Sequence, residues 1–156
     1  MHLYYPKAQY SKVDVDCPFS FEMNLSSRIE KKKGCNVNIS YPQMKATLYL
    51  TYSEIKNNNL DSLLRDAQKL AYNHTIKANS IPEQPYINPD DRVFGMLYMI
   101  NGDAATQAGF YLTDSINHFL NGSLYFDAKP NFDSIYPAVI YLREDIRKLI
   151  ETVRWE

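Results

Sequence analysis

The sequence is poor in the residues that most often carry enzyme chemistry. Its 156 residues include two cysteines, three histidines and five glycines. It contains no Gly-rich phosphate loop and no G-x-S-x-G, H-E-x-x-H or C-x-x-C motif, which argues against the nucleotide-binding, serine-hydrolase and zinc-peptidase classes. The histidines lie far apart, without metal-ligand spacing to a cysteine or carboxylate. We therefore expect neither an enzyme nor a protein with a bound metal or cofactor.

An excess of charge of one sign and long hydrophobic runs are absent as well. The net charge is −1, so the composition gives no broad electrostatic reason to expect binding to nucleic acid. No apolar run approaches the roughly 18 residues needed to span a bilayer. With 45% hydrophobic and 22% charged residues, the composition is typical of a globular protein that is long enough to bury a core.

Tyrosine and proline are abundant instead, with thirteen and eight residues respectively. Two interpretations of the tyrosines stay open: packing half-buried on a sheet, which we favour, and an adhesive surface. Residues 24–34, with their lysine run, and the proline-rich residues 81–92 are both interpreted as loops. A loop as long as the second one often carries function, although it serves equally well as a rigid spacer. The candidate interaction surface combines N-terminal tyrosines with residues of this loop: Tyr4, Tyr5, Tyr10, Pro85, Tyr86 and Asn88.

The strongest local signal predicts a hairpin in the C-terminal half. Asn101-Gly102 suits a type I′ turn, in which both central residues need positive φ, between strands Val93–Ile100 and Ala104–Leu112. Both faces of this hairpin are largely apolar, which indicates a central position in the sheet with a covering layer on each side. In this register the small residues Gly95 and Ala108 face each other, and we expect them to let a helix approach the backbone closely.

A second Asn-Gly pair, Asn121-Gly122, is not expected to form a turn, because it lies inside the alternating strand His118–Phe126. The turn before this strand is predicted at Asp114–Asn117. That turn brings Asp114 within reach of His118. A hydrogen bond that stabilises the turn explains such a contact more simply than a catalytic pair does.

Two amphipathic helices are predicted. The first begins after Asn59 and carries His74 on its apolar side, where a core histidine is expected rather than a ligand. The second follows Asp133-Ser134 as N-cap candidates and has Pro137 in its first turn, while charged residues such as Arg143 are expected on its outer side. The apolar positions of the second helix recur three and four residues apart, as in a single buried stripe: Ile135, Val139, Leu142, Ile146, Leu149, Ile150 and Val153.

Three alternating strands are predicted in the N-terminal half, over Cys17–Met23, Cys35–Tyr41 and Ala46–Tyr52. Residues 1–16 show neither a helical nor a strand period, so we interpret them as an extended lead-in. Residues 17–156 then form one α+β domain, in which a mostly antiparallel β-sheet is sandwiched between helices.

Six segments, plain individually, are specific in combination: Cys17–Glu22, Cys35–Ile39, Leu70–Ala78, Thr113–Ser115, His118–Phe126 and Arg143–Ile146. Together they resemble the GldD family, which comprises gliding-motility-associated lipoproteins of the bacteroidete envelope. The resemblance covers about residues 4–156. The order of the elements also resembles the Mog1/PsbP-type three-layer α/β/α sandwich, which is a likeness of fold and does not transmit function.

The resemblance to GldD implies a signal peptide and a lipid-modified cysteine upstream of this chain, and an association with the gliding and type IX secretion machinery. It brings no established catalytic residue. We therefore expect a lipid-anchored accessory or assembly component that faces the periplasm and binds envelope proteins of this machinery. The alternative is an envelope module that binds a small ligand or a glycan.

The pairing of Cys17 with Cys35 stays open at this point. An envelope location favours a disulfide. However, in a simple antiparallel hairpin with its loop at residues 24–34, Cys17 would lie several residues from the partner of Cys35. A disulfide therefore requires that the two strands do not form such a hairpin.

Overall fold

The computed structural model describes residues 7–72, 78–104, 106–127 and 132–156, and it shows an α+β fold with mostly antiparallel strands. The elements in chain order are β1 (Tyr10–Asp14), β2 (Phe19–Asn24), β3 (Arg28–Lys31), β4 (Val37–Tyr41), β5 (Ala46–Glu54), α1 (Leu60–Tyr72), β6 (Ala78–Ser80), β7 (Glu83–Asn88), β8 (Val93–Met99), β9 (Asn101–Gly102), β10 (Thr106–Thr113), β11 (His118–Phe126), α2 (Phe132–Thr152) and β12 (Arg154–Trp155).

Seven strands form the main sheet, in the order β3-β4-β5-β11-β10-β8-β7. Its central strand is β11, which has the predicted bounds and includes Asn121-Gly122 without a turn. The β8–β10 hairpin lies inside the sheet, between β11 and β7, although it is displaced from the centre towards one edge. The predicted covering layer on its second apolar face is confirmed, because α1 packs on this end of the sheet.

The hairpin register also differs from the prediction. Gly95 lies opposite Leu112 instead of Ala108, a shift of four residues along β10. Asn101-Gly102 does not form a two-residue turn, because it pairs with β6 as the short strand β9. The longer connection is held from inside by Gln107, whose Nε2 donates a hydrogen bond to the Gly102 carbonyl oxygen at 2.9 Å. Since the shift is even, the residues paired between β8 and β10 keep their predicted faces of the sheet.

The two helices pack on opposite faces of the main sheet. α1 lies over β10 and β11, and its Tyr72 ring contacts Tyr98 on that face, with centroids 5.8 Å apart. α2 packs on the other face, where its predicted apolar stripe is confirmed as part of the core. It begins at Phe132, so the predicted cap at Asp133-Ser134 lies within the helix. The prediction for His74 falls outside the described residues.

The small sheet β1-β2-β12 packs against α2 and completes the core on that side. Its first strand corrects the interpretation of residues 1–16 as a lead-in, because Tyr10–Asp14 pairs in register with β2. This strand escaped prediction because it is largely exposed. Val13 is its one aliphatic side chain that packs against the core.

Both predicted loops contain edge strands of the main sheet. β3 lies within residues 24–34 and is exposed and mostly charged, which protects an edge from pairing with other chains. β7 lies within residues 81–92. The Met99 N–H donates a hydrogen bond to the Pro82 carbonyl oxygen at 3.0 Å. Because backbone groups along a strand point alternately to either side, the nitrogen of Pro85 then points away from β8. At this outer edge no neighbouring strand needs an N–H donor, so proline is tolerated.

Candidate functional site

A buried carboxylate joins α2 to both sheets. Asp145 lies beside the apolar stripe of α2 and is fully buried. Its Oδ1 accepts a hydrogen bond from the Tyr10 hydroxyl at 2.6 Å, and its Oδ2 accepts one from the Tyr41 hydroxyl at 2.6 Å. Asn24 Nδ2 also donates to Oδ2, at 3.1 Å. We call these four residues the Asp145 network; it connects α2 to β1, β2 and β4.

The electrostatics of the network favour a structural role. Burial and the adjacent Asp145 carboxylate raise the pKa of both Tyr10 and Tyr41 well above the ordinary value for tyrosine, so both phenols remain hydrogen-bond donors. The Lys148 ammonium lies 5.5 Å from the centroid of the Tyr10 ring and adds a cation–π contact. Both oxygens of Asp145 are thus engaged by side chains that hold separate elements together.

Replacing Tyr41 by phenylalanine is expected to lower the free energy of unfolding by about 1.5–3 kcal/mol, the range for a hydrogen bond to a charged group. The variant keeps the ring and removes one donor from a buried carboxylate. Urea denaturation of the variant and of wild type measures the effect. Tyr49→Phe is the control, because its half-exposed ring is not part of the network and its loss of a hydroxyl should be nearly neutral. Equal urea midpoints for the Tyr41 variant and wild type would contradict this role.

The turn before β11 has a second buried carboxylate, that of Asp114. Its Oδ1 accepts hydrogen bonds from the backbone N–H groups of Ile116 at 3.0 Å, Asn117 at 2.9 Å and His118 at 2.9 Å. Burial alone would raise the pKa of Asp114, but these three amides outweigh it and lower the pKa below the ordinary value. The interpretation of the Asp114–His118 contact as a turn-stabilising hydrogen bond is confirmed.

The lowered pKa of Asp114 predicts a loss of stability in acid. The contribution is fully present above the unfolded-state pKa of about 3.9 and is lost as the pH falls through the lower folded-state pKa. Asp114→Asn keeps an acceptor oxygen but removes the charge. We expect its free energy of unfolding to fall less steeply than that of wild type below about pH 4. Parallel slopes for the two proteins in this range, measured by urea denaturation, would refute the assignment.

The ring of His118 is built into an aromatic cluster. Its Nδ1 lies 2.7 Å from the Tyr52 hydroxyl, and its ring stacks on Trp155 with centroids 5.0 Å apart. Trp155 is fixed in turn by its Nε1, which donates to the Arg92 carbonyl oxygen at 2.9 Å. Tyr52 also stacks on Phe19, with centroids 5.5 Å apart. The cluster therefore ties β12, and with it the small sheet, to the central strand of the main sheet.

Arg143 corrects the expectation that it lies on the outer side of α2, because it is buried. One of its Nη atoms donates to Asn101 Oδ1 at 2.8 Å, while its Nε has no hydrogen-bond partner. The guanidinium therefore anchors the connection around β9 to α2. Burial lowers the pKa of Arg143 from its ordinary value.

Within the described residues, no three histidine, cysteine or acidic side chains come together as a set that could hold a metal ion. No helix in this part of the chain is both long enough and apolar enough to cross a membrane.

Only part of the candidate interaction surface comes together in the described residues, where Pro85 and Tyr86 line one groove beside β7. Tyr4 and Tyr5 lie outside the described residues. Tyr10 engages Asp145, as described above. Tyr86 packs half-buried against the core, and Asn88 donates from Nδ2 to Asp91 at 3.0 Å. Pro85 is exposed on β7.

The groove beside β7 also contains apolar residues that sequence reasoning missed. It encloses about 380 Å³ between the first turns of α1 and the end of the sheet formed by β7, β8 and β10. Ile87 on its rim is 71% exposed, more than any other exposed large hydrophobic side chain in the described part of the chain. The signal was present in the sequence, because Ile87 stands one residue from Tyr86, but the surrounding prolines suggested a loop. We call this feature the β7 groove; its main apolar lining comprises Leu60, Leu64, Ile87, Phe94 and Tyr111.

On the same face of the main sheet, away from the groove, the strands β4, β5 and β11 present a polar surface. On β4, β5 and β11 the residues that alternate with core positions are all polar or aromatic and uncharged. We call this surface the polar face; it comprises Asn38, Ser40, Thr47, Tyr49, Thr51, Asn121, Ser123 and Tyr125.

Cys17 and Cys35 form a disulfide, with their Cα atoms 5.8 Å apart. The two cysteines do not belong to one hairpin. Cys17 precedes β2 of the small sheet, and Cys35 precedes β4 of the main sheet. The disulfide therefore joins the two sheets covalently.

These features define a disulfide-bonded α+β protein whose described buried polar groups mainly connect its layers. The family model for the gliding motility lipoprotein GldD matches residues 1–155. The chain belongs to this family, which confirms the resemblance found in the sequence, and membership of a lipoprotein family implies a protein anchored to the cell envelope. A search of curated proteins gives no match.

Proposed function

We propose that this protein is a non-catalytic accessory component of the gliding-motility and type IX secretion machinery. In this proposal a lipid anchor upstream of the chain holds it on the periplasmic side of the envelope, where it binds protein partners of that machinery. Family membership supports the association with gliding. The observation that carries the mode of action is the β7 groove with its exposed Ile87.

The groove suits a protein partner that inserts apolar side chains. Its floor and walls combine aliphatic side chains from α1 with aromatic rings from β8 and β10, and such apolar concave surfaces are typical of binding sites. The outward nitrogen of Pro85 cannot donate a backbone hydrogen bond, which disfavours the addition of a partner strand along this edge. The partner is therefore expected to engage the groove through side chains.

Lipid anchoring makes a small groove sufficient for this role. Confinement to a membrane surface raises the effective concentration of the protein towards partners embedded in the same membrane, so that weak contacts suffice. This is consistent with the near-neutral charge of the chain, which gives no strong electrostatic steering.

The likeness to the Mog1/PsbP fold remains part of the proposal, and the placement of α1 and α2 on opposite sheet faces supports it.

Site-specific photo-crosslinking in the native envelope tests the mode of action. A photo-reactive amino acid at position 87 is expected to capture envelope proteins of the gliding or secretion machinery. The matched control is the same amino acid at position 140, because Ile140 is an exposed isoleucine on α2, away from the groove. Identical crosslinked partners at both positions, or none at position 87, would argue against the groove as the binding site.

A further inference from the structure

The polar face is a regular three-strand surface with a fixed arrangement of side chains. Tyr49 on β5 lies between Asn38 on β4 and Ser123 on β11, because each is its register partner. In the two adjoining rows, one on each side, Thr47 is opposite Tyr125 and Thr51 is opposite Asn121. Neighbouring strands lie about 4.8 Å apart, so these side chains form a platform of roughly 10 Å across the three strands.

The platform carries no charged residue. Seven of its eight positions are at least partly exposed, while Ser123 is buried. Charged residues make up about 25% of a typical globular chain and lie mostly at its surface, so about two charged side chains would be expected among seven such positions. The nearest charges on the same face belong to the edge strand, where Arg28 and Glu30 pair with Ser40 and Asn38. The platform itself supplies no cation, which disfavours nucleic acid or an acidic peptide as its ligand, since both would require several cations.

Two amides and two hydroxyls of the platform are at least partly exposed and available to a ligand. Among the described residues, the side-chain hydrogen bonds do not involve Asn38, Asn121, Thr47 or Thr51. Each amide offers two donors and an acceptor oxygen, and each hydroxyl offers both functions. These groups surround an aromatic pair, Tyr49 and Tyr125, whose rings meet edge-to-face with centroids 5.6 Å apart.

We propose that the polar face binds a neutral glycan. A pyranose ring has an apolar C–H face and a rim of hydroxyl groups. An exposed tyrosine ring can stack on the C–H face, and amide and hydroxyl side chains can form hydrogen bonds with the hydroxyl groups of the sugar. Tyr49, which is 39% exposed, is the stacking residue, and Asn38 and Thr51 beside it are the hydroxyl-binding residues. The site lies away from the β7 groove, so a glycan and a protein partner can bind together.

The test is an NMR titration of the isotope-labelled protein with neutral oligosaccharides at millimolar concentration. The probes are the hexasaccharides of maltose, cellulose, laminarin and mannan, with a dextran sulfate oligosaccharide as the charged counterpart. We expect at least one neutral probe to shift backbone amide signals of β4, β5 and β11, and the sulfated probe to leave them unchanged. The proposal fails if no neutral probe shifts these signals, if the shifts lie elsewhere, or if the sulfated probe binds this face instead. It also fails if the signals move with protein concentration alone, which would identify the face as an interface between copies of the chain.

Two tyrosine variants complete the test. Tyr49→Ala is expected to weaken binding of the active oligosaccharide by at least about tenfold, the loss typical of truncating an aromatic anchor. Tyr136→Ala is the control, because Tyr136 has a similar exposure, 43%, and lies on α2. Its affinity for the oligosaccharide should equal that of wild type. If Tyr49→Ala also binds as wild type does, the assignment of the stacking residue is wrong and the proposal is overturned.

Discussion

Gly95→Ala is expected to lower the free energy of unfolding by about 3 kcal/mol or more, which is at the upper end of the cost of overpacking. A Cβ atom at this position would lie 1.8 Å from the Tyr111 carbonyl oxygen and 3.0 Å from Leu112 Cδ2. Because the nearest atom is backbone within the sheet, it cannot be relieved by a side-chain rotation. The sequence suggested that Gly95 admits a helix, whereas the structure shows that it admits the neighbouring strand.

Gly109→Ala is the matched control for this prediction. Gly109 lies on the adjacent strand β10, and a Cβ there would meet only the Gly122 carbonyl oxygen, at 3.6 Å. Both substitutions restrict the unfolded chain equally, which by itself favours alanine by about 0.4–1 kcal/mol. Urea denaturation of the two variants therefore isolates the steric cost at Gly95. Equal stabilities of the two variants would show that the close approach to Tyr111 does not constrain this position.

Removal of the disulfide is expected to cost about 3 kcal/mol in the chain-entropy model, given the sequence separation of 18 residues. The double variant Cys17→Ala/Cys35→Ala should show this loss in urea denaturation without reductant. Wild type denatured in the presence of reductant should lose a similar amount. The effect is expected to be large because the bond joins the small sheet, which has three short strands, to the main sheet.

Reductant provides the internal control for the disulfide. The double variant has no thiol, so its urea midpoint should be the same with and without reductant. A wild-type midpoint that is equally insensitive to reductant would contradict a stabilising disulfide. A double variant that is much less stable than reduced wild type would instead assign the loss to packing of the buried Cys17 side chain.

Periodic apolar residues account for the elements that sequence alone predicted. β11 and β5 alternate between core and opposite face over nine residues each, and the stripe of α2 recurs at helical spacing over the whole helix. Their signals are local, because every core position lies within four residues of the next. The edge strands β3 and β7 lack such a signal, since they are exposed on at least one face and their pairing depends on the neighbouring strand.

The residues of the candidate sites were harder to predict because their partners are distant in sequence. The Tyr10 and Asp145 hydrogen bond spans 135 residues, and the Tyr41 and Asp145 bond spans 104. The spacing of apolar residues along the chain does not predict contacts between residues so far apart. Asp145 did belong to one of the segments that carried the family resemblance. Ile87 was missed for a different reason, because Pro85 suggested a loop where it instead occupies a tolerated position at a sheet edge.

The β7 groove is proposed to bind a partner that the gliding or secretion machinery needs. Ile87→Lys places a charge in the groove at a residue that is already 71% exposed, so it should leave folding and abundance unchanged while disrupting apolar binding. The control is Ile140→Lys, at an isoleucine on α2 that is 44% exposed. The decisive measurement is colony spreading and protein secretion in cells that carry each variant at wild-type abundance. We expect a loss of both activities for Ile87→Lys and normal activity for Ile140→Lys. Normal spreading and secretion with Ile87→Lys would contradict it.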